Sequence, residues 1–206
     1  MLRLITIIFC LIATIQAQAQ LFEGGFTAGP NFSQIEGDDV AGYKKIGMNL
    51  GILATINFNE TWVGSFELTY TQKGSRSALD LLGSFKIVHD YVEIPLILSY
   101  QDKGGLNFGF GLAPAYHITS KRIEEGAELT NFYISNPIKQ WDVGAIAQIA
   151  YRINDFSQVQ LRITHSVIPY QQLISANRGE IVGQFNNVIT LKYAFLLTAL
   201  QKDRRK

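Results

Sequence analysis

The sequence predicts an all-β fold: an eight-stranded antiparallel up-and-down transmembrane β-barrel that follows a cleaved signal peptide. Hydrophobicity alternates with period two along eight segments, the mark of strands with two different faces. The connections between them alternate between short and long. Beyond the N-terminus no stretch is apolar for the about 20 residues that a membrane helix needs. Without such a helix, only a closed barrel crosses a bilayer with every backbone group paired.

Arg3 supplies a positive n-region, Leu4 to Ile15 is apolar except for Thr6 and Thr14, and Ala17-Gln18-Ala19 has the small-x-small form of a cleavage site. Residues 1–19 are assigned to a signal peptide, 20–197 to the barrel domain and 198–206 to a basic C-terminal tail. The single cysteine, Cys10, falls within the signal, so the mature chain has neither disulfides nor thiolate metal sites. A net charge of +1 with no large basic block argues against a nucleic-acid partner.

The first strand segment is Leu21–Phe32. The second sets Ile46, Met48, Leu50, Ile52, Ala54, Ile56 and Phe58 against Gly47, Asn49, Gly51, Thr55 and Asn57, with Leu53 as the exception. The third sets Trp62, Gly64, Phe66, Leu68 and Tyr70 against Val63, Ser65, Glu67, Thr69 and Thr71. Phe85–Tyr100, Leu106–Ile118, Trp141–Ile153, Phe156–Ile168 and Phe185–Leu197 follow, each longer than the 9–11 or so residues of a tilted membrane strand. Short turns fall at Asn59-Glu60-Thr61, Gln101–Gly105 and Asn154-Asp155; long loops fall at Ser33–Lys45, Gly74–Ser84, Thr119–Gln140 and Pro169–Gln184. In an outer-membrane barrel the short turns and both termini are periplasmic and the long loops face outward.

Trp62, Tyr100, Tyr151 and Phe156 gather near the short-turn end, and Tyr70, Tyr116 and Trp141 near the long-loop end, where aromatic rings suit the headgroup level. A soluble lipocalin-like barrel would instead turn the apolar face inward and carry a hydrophobic ligand in the periplasm. The aromatic belts, the strict loop alternation and the opposite charges in the middle of the polar face favour the membrane arrangement.

Several stretches carry a family likeness. They are Gly25-Phe26-Thr27-Ala28-Gly29-Pro30-Asn31-Phe32-Ser33, Glu67-Leu68-Thr69-Tyr70-Thr71-Gln72-Lys73-Gly74, Tyr91-Val92-Glu93-Ile94-Pro95-Leu96-Ile97-Leu98-Ser99-Tyr100, Asp142-Val143-Gly144 through Tyr151-Arg152-Ile153, and Leu191-Lys192-Tyr193-Ala194-Phe195. In order and spacing the chain resembles the PorT-like outer-membrane β-barrel family of Bacteroidetes over approximately Phe22 to Phe195. The resemblance implies residence in the outer membrane, and the family's namesake suggests an accessory role in type IX secretion.

On the polar face, Glu67 and Glu93 lie on the third and fourth strands and Arg152, Arg162 and Lys192 on the sixth to eighth. An eight-stranded lumen is just wide enough for side chains to fill, so these groups are expected to meet as salt bridges. A structural ionic plug is the expectation; a charged gate in a narrow channel is the alternative. His89 and His117 form a second constellation: a hairpin register in which residue numbers sum to about 206 sets them opposite each other at the mouth. Such a pair, with Asp90 adjacent in sequence, is a weak Zn²⁺ or Cu²⁺ candidate beside the plainer reading of hydrogen-bonded histidines. No metal or cofactor is assigned.

Pro95 and Pro114 indicate a bend in the hairpin of strands four and five. His89 with Asp90 and His165 with Ser166 are the only local hints of catalysis, and adjacent strand residues point to opposite faces. No enzyme is expected. The protein reads as a structural or interaction component in outer-membrane lipid. Its other partners are expected to be envelope or secretion proteins, met through the charged long loops or the tail of Lys202, Arg204, Arg205 and Lys206.

Overall fold

Period-two side chains need two different surroundings, and the strands provide them by closing into a ring. The computed structural model describes residues 22–38, 40–77, 84–129, 137–174 and 181–197; the assigned signal peptide and C-terminal tail lie outside them. In chain order the strands are β1 (Phe22–Glu36), β2 (Lys45–Asn57), β3 (Trp62–Ser77), β4 (Phe85–Glu93), β5 (Leu96–Gln101), β6 (Leu106–Glu124), β7 (Ala127–Glu128), β8 (Trp141–Asn154), β9 (Ser157–Ser166), β10 (Gln171–Ile174) and β11 (Ile181–Leu196). β1, β2, β3, β4 with β5, β6, β8, β9 and β11 form an antiparallel ring of 8 staves, closed by pairing of β1 with β11 from Gly25↔Leu196 to Glu36↔Phe185.

The fourth stave is broken at Ile94-Pro95, where proline lacks a donor for the ladder. Two bonds bridge the break: Glu67 N donates to the Pro95 carbonyl at 3.0 Å, and Ile94 N to the Pro114 carbonyl at 2.8 Å. Side chains set the short turns. Asn59 Oδ1 accepts from the backbone N–H of Thr61 (2.9 Å) and of Trp62 (2.8 Å), and Asn154 Oδ1 accepts from Phe156 N–H (2.9 Å).

At the long-loop end the strands run further than hydrophobic alternation indicates. Ser33–Glu36, Gly74–Ser77, Thr119–Glu124 and Ile181–Gln184, all expected in loops, continue β1, β3, β6 and β11, while β7 and β10 add short strands. Charged side chains such as Arg76 and Lys121 punctuate these extensions, and strand pairing there persists without an apolar stripe.

The orientation of the faces is clear. Ile46 (67% exposed), Phe110 (71%) and Trp141 (58%) stand on the outside, whereas Asn31, Glu67 and Lys192 are buried inside. A lipocalin-like carrier has the reverse arrangement. Leu53, the exception in the second segment, faces inward and packs against Ala194 and Leu196. Backbones approach closely at Gly29 and Gly111, where a Cβ would come within 2.0 Å of the Leu191 and Leu96 carbonyl oxygens. Edge-to-face aromatic pairs mark both belts: Trp62–Tyr100 at 5.8 Å and Tyr116–Trp141 at 5.2 Å between ring centroids. Trp62 and Tyr70 lie about 27 Å apart along β3 at ~3.4 Å per residue. A tilt of roughly 40° reduces that to about 21 Å, close to the ~25 Å apolar band of such barrels.

Candidate functional site

Parity places the charges. From Trp62 outward, every second residue of β3 points into the lumen, which puts Glu67 about midway between the aromatic belts. Arg162 of β9 meets it in a fork, Nη1 to Oε2 at 3.0 Å and Nη2 to Oε1 at 2.5 Å. Lys192 of β11 donates to Oε2 at 2.7 Å. Gln148 of β8 accepts twice from Arg162, at 2.9 Å from Nε and 2.6 Å from Nη2. A single carboxylate thus holds two buried cations, with a neutral amide completing the guanidinium. Such pairing offsets the cost of removing the charges from water.

The other two expected members lie elsewhere. Glu93 joins Lys73 (2.5 Å), which also reaches Asp142 (3.4 Å) in a cluster nearer the long-loop end. Asp142 Oδ2 further accepts from Ser166 Oγ (2.9 Å) and Asn186 Nδ2 (3.0 Å). Arg152 sits at the short-turn rim, where it pairs with Glu23 at 2.9 Å. The five predicted charges therefore divide among three levels rather than forming one network. Lys73, Asp142, Glu23 and Gln148 complete those levels without having been singled out. Asp142 shares the parity of Arg152 on one strand and Lys73 that of Glu67, so both were within reach of the sequence pattern.

The lumen is filled between and beyond these clusters. Ile97, Ala113 and Ile146 pack together inside the barrel, and Ile35, Ile87 and Tyr170 form a buried cluster toward the long-loop end with Phe85 and Ile138 packed against it. Below Glu67 a polar cavity of about 30 Å³ remains, lined by Ser65, Ser99, Asn107, Gln148 and Gln160 among others. That volume suits one or two waters.

The histidine register differs from the expected one. Gln101 still pairs with Asn107, so the turn lies one residue later, and a bulge at Asp90/Tyr91 adds a further shift. His89 consequently faces Ser120 and His117 faces Tyr91. The two rings nevertheless converge, 6.2 Å between centroids, because both bond Ser120 Oγ: His89 Nδ1 at 2.5 Å and His117 Nε2 at 2.6 Å. A hydroxyl has one proton, so Ser120 donates to one imidazole and accepts from the other. Asp90 projects outward and accepts from Gln72 at 3.0 Å, away from the pair. Among the described residues no group of three or more His, Cys, Asp or Glu converges as metal ligands. His165 bonds Asn187 (2.6 Å) while its neighbour Ser166 turns inward to Asp142.

The solved structure of Ail, the attachment invasion locus protein of Yersinia pestis, superposes with a TM-score of 0.52 at 10% identity, over 85% of this chain and 98% of that one. Neisserial surface protein A aligns at 0.49 and 7% identity over 85% and 96% of the two chains, and OprG from Pseudomonas aeruginosa at 0.40 and 13% over 86% and 94%. The likeness to Ail is one of fold. No curated protein matches the chain. The family model described as outer membrane protein beta-barrel domain matches residues 16–170, more than half of the sequence. The chain belongs to that family of bacterial outer-membrane β-barrels, with its apolar faces in lipid and its charges sealed within.

Proposed function

We propose that the protein is a non-enzymatic structural or interaction component of the outer membrane, a PorT-like accessory of type IX secretion that works through its two ends rather than through its lumen. The short turns and both termini then face the periplasm, and the long-loop extensions face outward. The observation that carries this reading is the central cluster of Glu67, Arg162, Lys192 and Gln148, which occupies the lumen at mid-height with its charges mutually satisfied. The second cluster and the Ile35–Ile87–Tyr170 cluster stand at the next two levels, and His89 is fully buried between them. With the interior occupied, the surfaces left for partners are the loop extensions and the turn end.

Two measurements test it. Reconstituted in planar bilayers, the full barrel is expected to give no discrete steps, and reproducible openings lasting seconds would favour a narrow channel instead. A deletion strain is expected to lose secreted proteins, with cross-linking from outer membranes capturing secretion components. Unchanged secretion would remove the accessory role.

A further inference from the structure

Among the described residues, charge facing the lumen is almost balanced. The central and upper clusters set Lys73, Arg162 and Lys192 against Glu67, Glu93 and Asp142, and the rim sets Arg152 against Glu23. Lys45 stands outside this balance. It is the first residue of β2, faces inward, is 1% exposed, and its Nζ has no hydrogen-bond partner. The ammonium lies over Gly47, 2.7 Å from where a Cβ would stand, so the missing side chain is what gives it room. β2 pairs with β3 as far as Asn49↔Thr71, and Lys45 and Ser75 each stand four residues beyond that pair on the long-loop side. Ser75 is also 1% exposed, and its hydroxyl is likewise unpartnered.

Among the described residues, the surrounding charges do not supply a counter-ion. Asp90 and Lys86, both on β4, act on Lys45 with opposite signs, and Asp90 is on the outer face bonded to Gln72. His89, also on β4, lies within electrostatic reach of both Lys45 and Lys73 and adds no negative charge. Lys73 is already saturated by its two carboxylates. A buried ammonium without a partner is costly, and an anion beside it offsets that cost while keeping the lysine charged.

We propose that Lys45 and Ser75 form a binding site for a small inorganic anion of the size of chloride, at the long-loop end of the lumen. The ammonium supplies the charge and the hydroxyl supplies a second donor. Water in the same place would solvate the ammonium but leave its charge unbalanced.

The experiment uses the folded full-length barrel in detergent. Crystals soaked in bromide are expected to show an anomalous peak within hydrogen-bond distance of Lys45 Nζ. In solution, chloride is expected to raise the thermal midpoint above that in gluconate at equal ionic strength. Lys45→Met, which keeps the shape without the charge, is expected to weaken chloride binding more than tenfold and abolish that difference. Ser75→Ala should weaken it less. A bromide map empty at Lys45 would overturn the proposal in the wild-type protein alone, whether or not the variants fold. Equal midpoints in chloride and gluconate, the result for water only, would overturn it as well.

Discussion

Replacing Glu67 by Gln tests whether the central cluster is a dry structural lock. The carboxylate accepts three charge-assisted bonds, two from Arg162 and one from Lys192, at a site where it is 1% exposed. Glutamine keeps the shape and one acceptor but strands two cations. Removing one partner of a buried pair costs about 3–5 kcal/mol. Arg162 keeps both bonds to Gln148, so the lower end, about 3 kcal/mol, is expected. Lys192→Met alone should cost less than about 1 kcal/mol, because the Arg162–Glu67 fork survives and a buried charge is replaced by an apolar group of similar volume. The double variant should then be more stable than Glu67→Gln by at least about 1 kcal/mol, since one of the two stranded charges has gone. Urea titration of the barrel in lipid, followed by heat-modifiable gel mobility, measures all three. A Glu67→Gln protein within about 1 kcal/mol of wild type, or a double variant no better than the single, would show that water screens the lumen.

Three other perturbations probe the frame. Phe110→Arg, on the outer face between the belts, should cost about 2–4 kcal/mol in lipid by the same titration, whereas a soluble carrier would tolerate it. Gly111→Ala places a methyl within 2.0 Å of the Leu96 carbonyl oxygen, so folding yield into lipid should drop and stability should fall by about 1–3 kcal/mol. Asn59→Ala removes the acceptor for the Thr61 and Trp62 N–H groups, and a loss of about 1 kcal/mol is expected, since the turn is exposed and water replaces the bonds.

How far the sequence reached depends on what a single strand can record. Parity is a property of one strand, and it assigns Glu67, Arg162 and Lys192 to the face that the structure buries. Which of them touch is a property of the stagger between distant strands, and alternation within each strand does not contain it. Glu93 therefore found Lys73, and Arg152 found Glu23, instead of joining Glu67. Strand ends were lost for a related reason. The outer apolar stripe stops at Tyr70 because lipid stops there, while hydrogen bonding continues to Ser77, so Lys73 sat at what looked like a loop edge. The histidines are not register partners, because a bulge is invisible in alternation, and Ser120 spans the difference between them.

The polar interior also bears on how the ring closes. Asn31 of β1, which is fully buried, donates through Nδ2 to Thr71 Oγ1 of β3 (2.7 Å) and to the Met48 carbonyl of β2 (3.2 Å), while its Oδ1 accepts from Thr190 of β11 (2.7 Å). One amide thus joins four staves, including the two that meet only when the barrel closes. Leaving such buried partners unsatisfied costs about 1–3 kcal/mol. If that cost is local to the seam, Asn31→Ala should lower amide-exchange protection along β1 and β11 by roughly tenfold and leave the β6–β8 ladder nearly unchanged. A uniform drop around the ring would refute the seam argument, because the staves would then be opening as one cooperative unit and Asn31 would be only one bond among many.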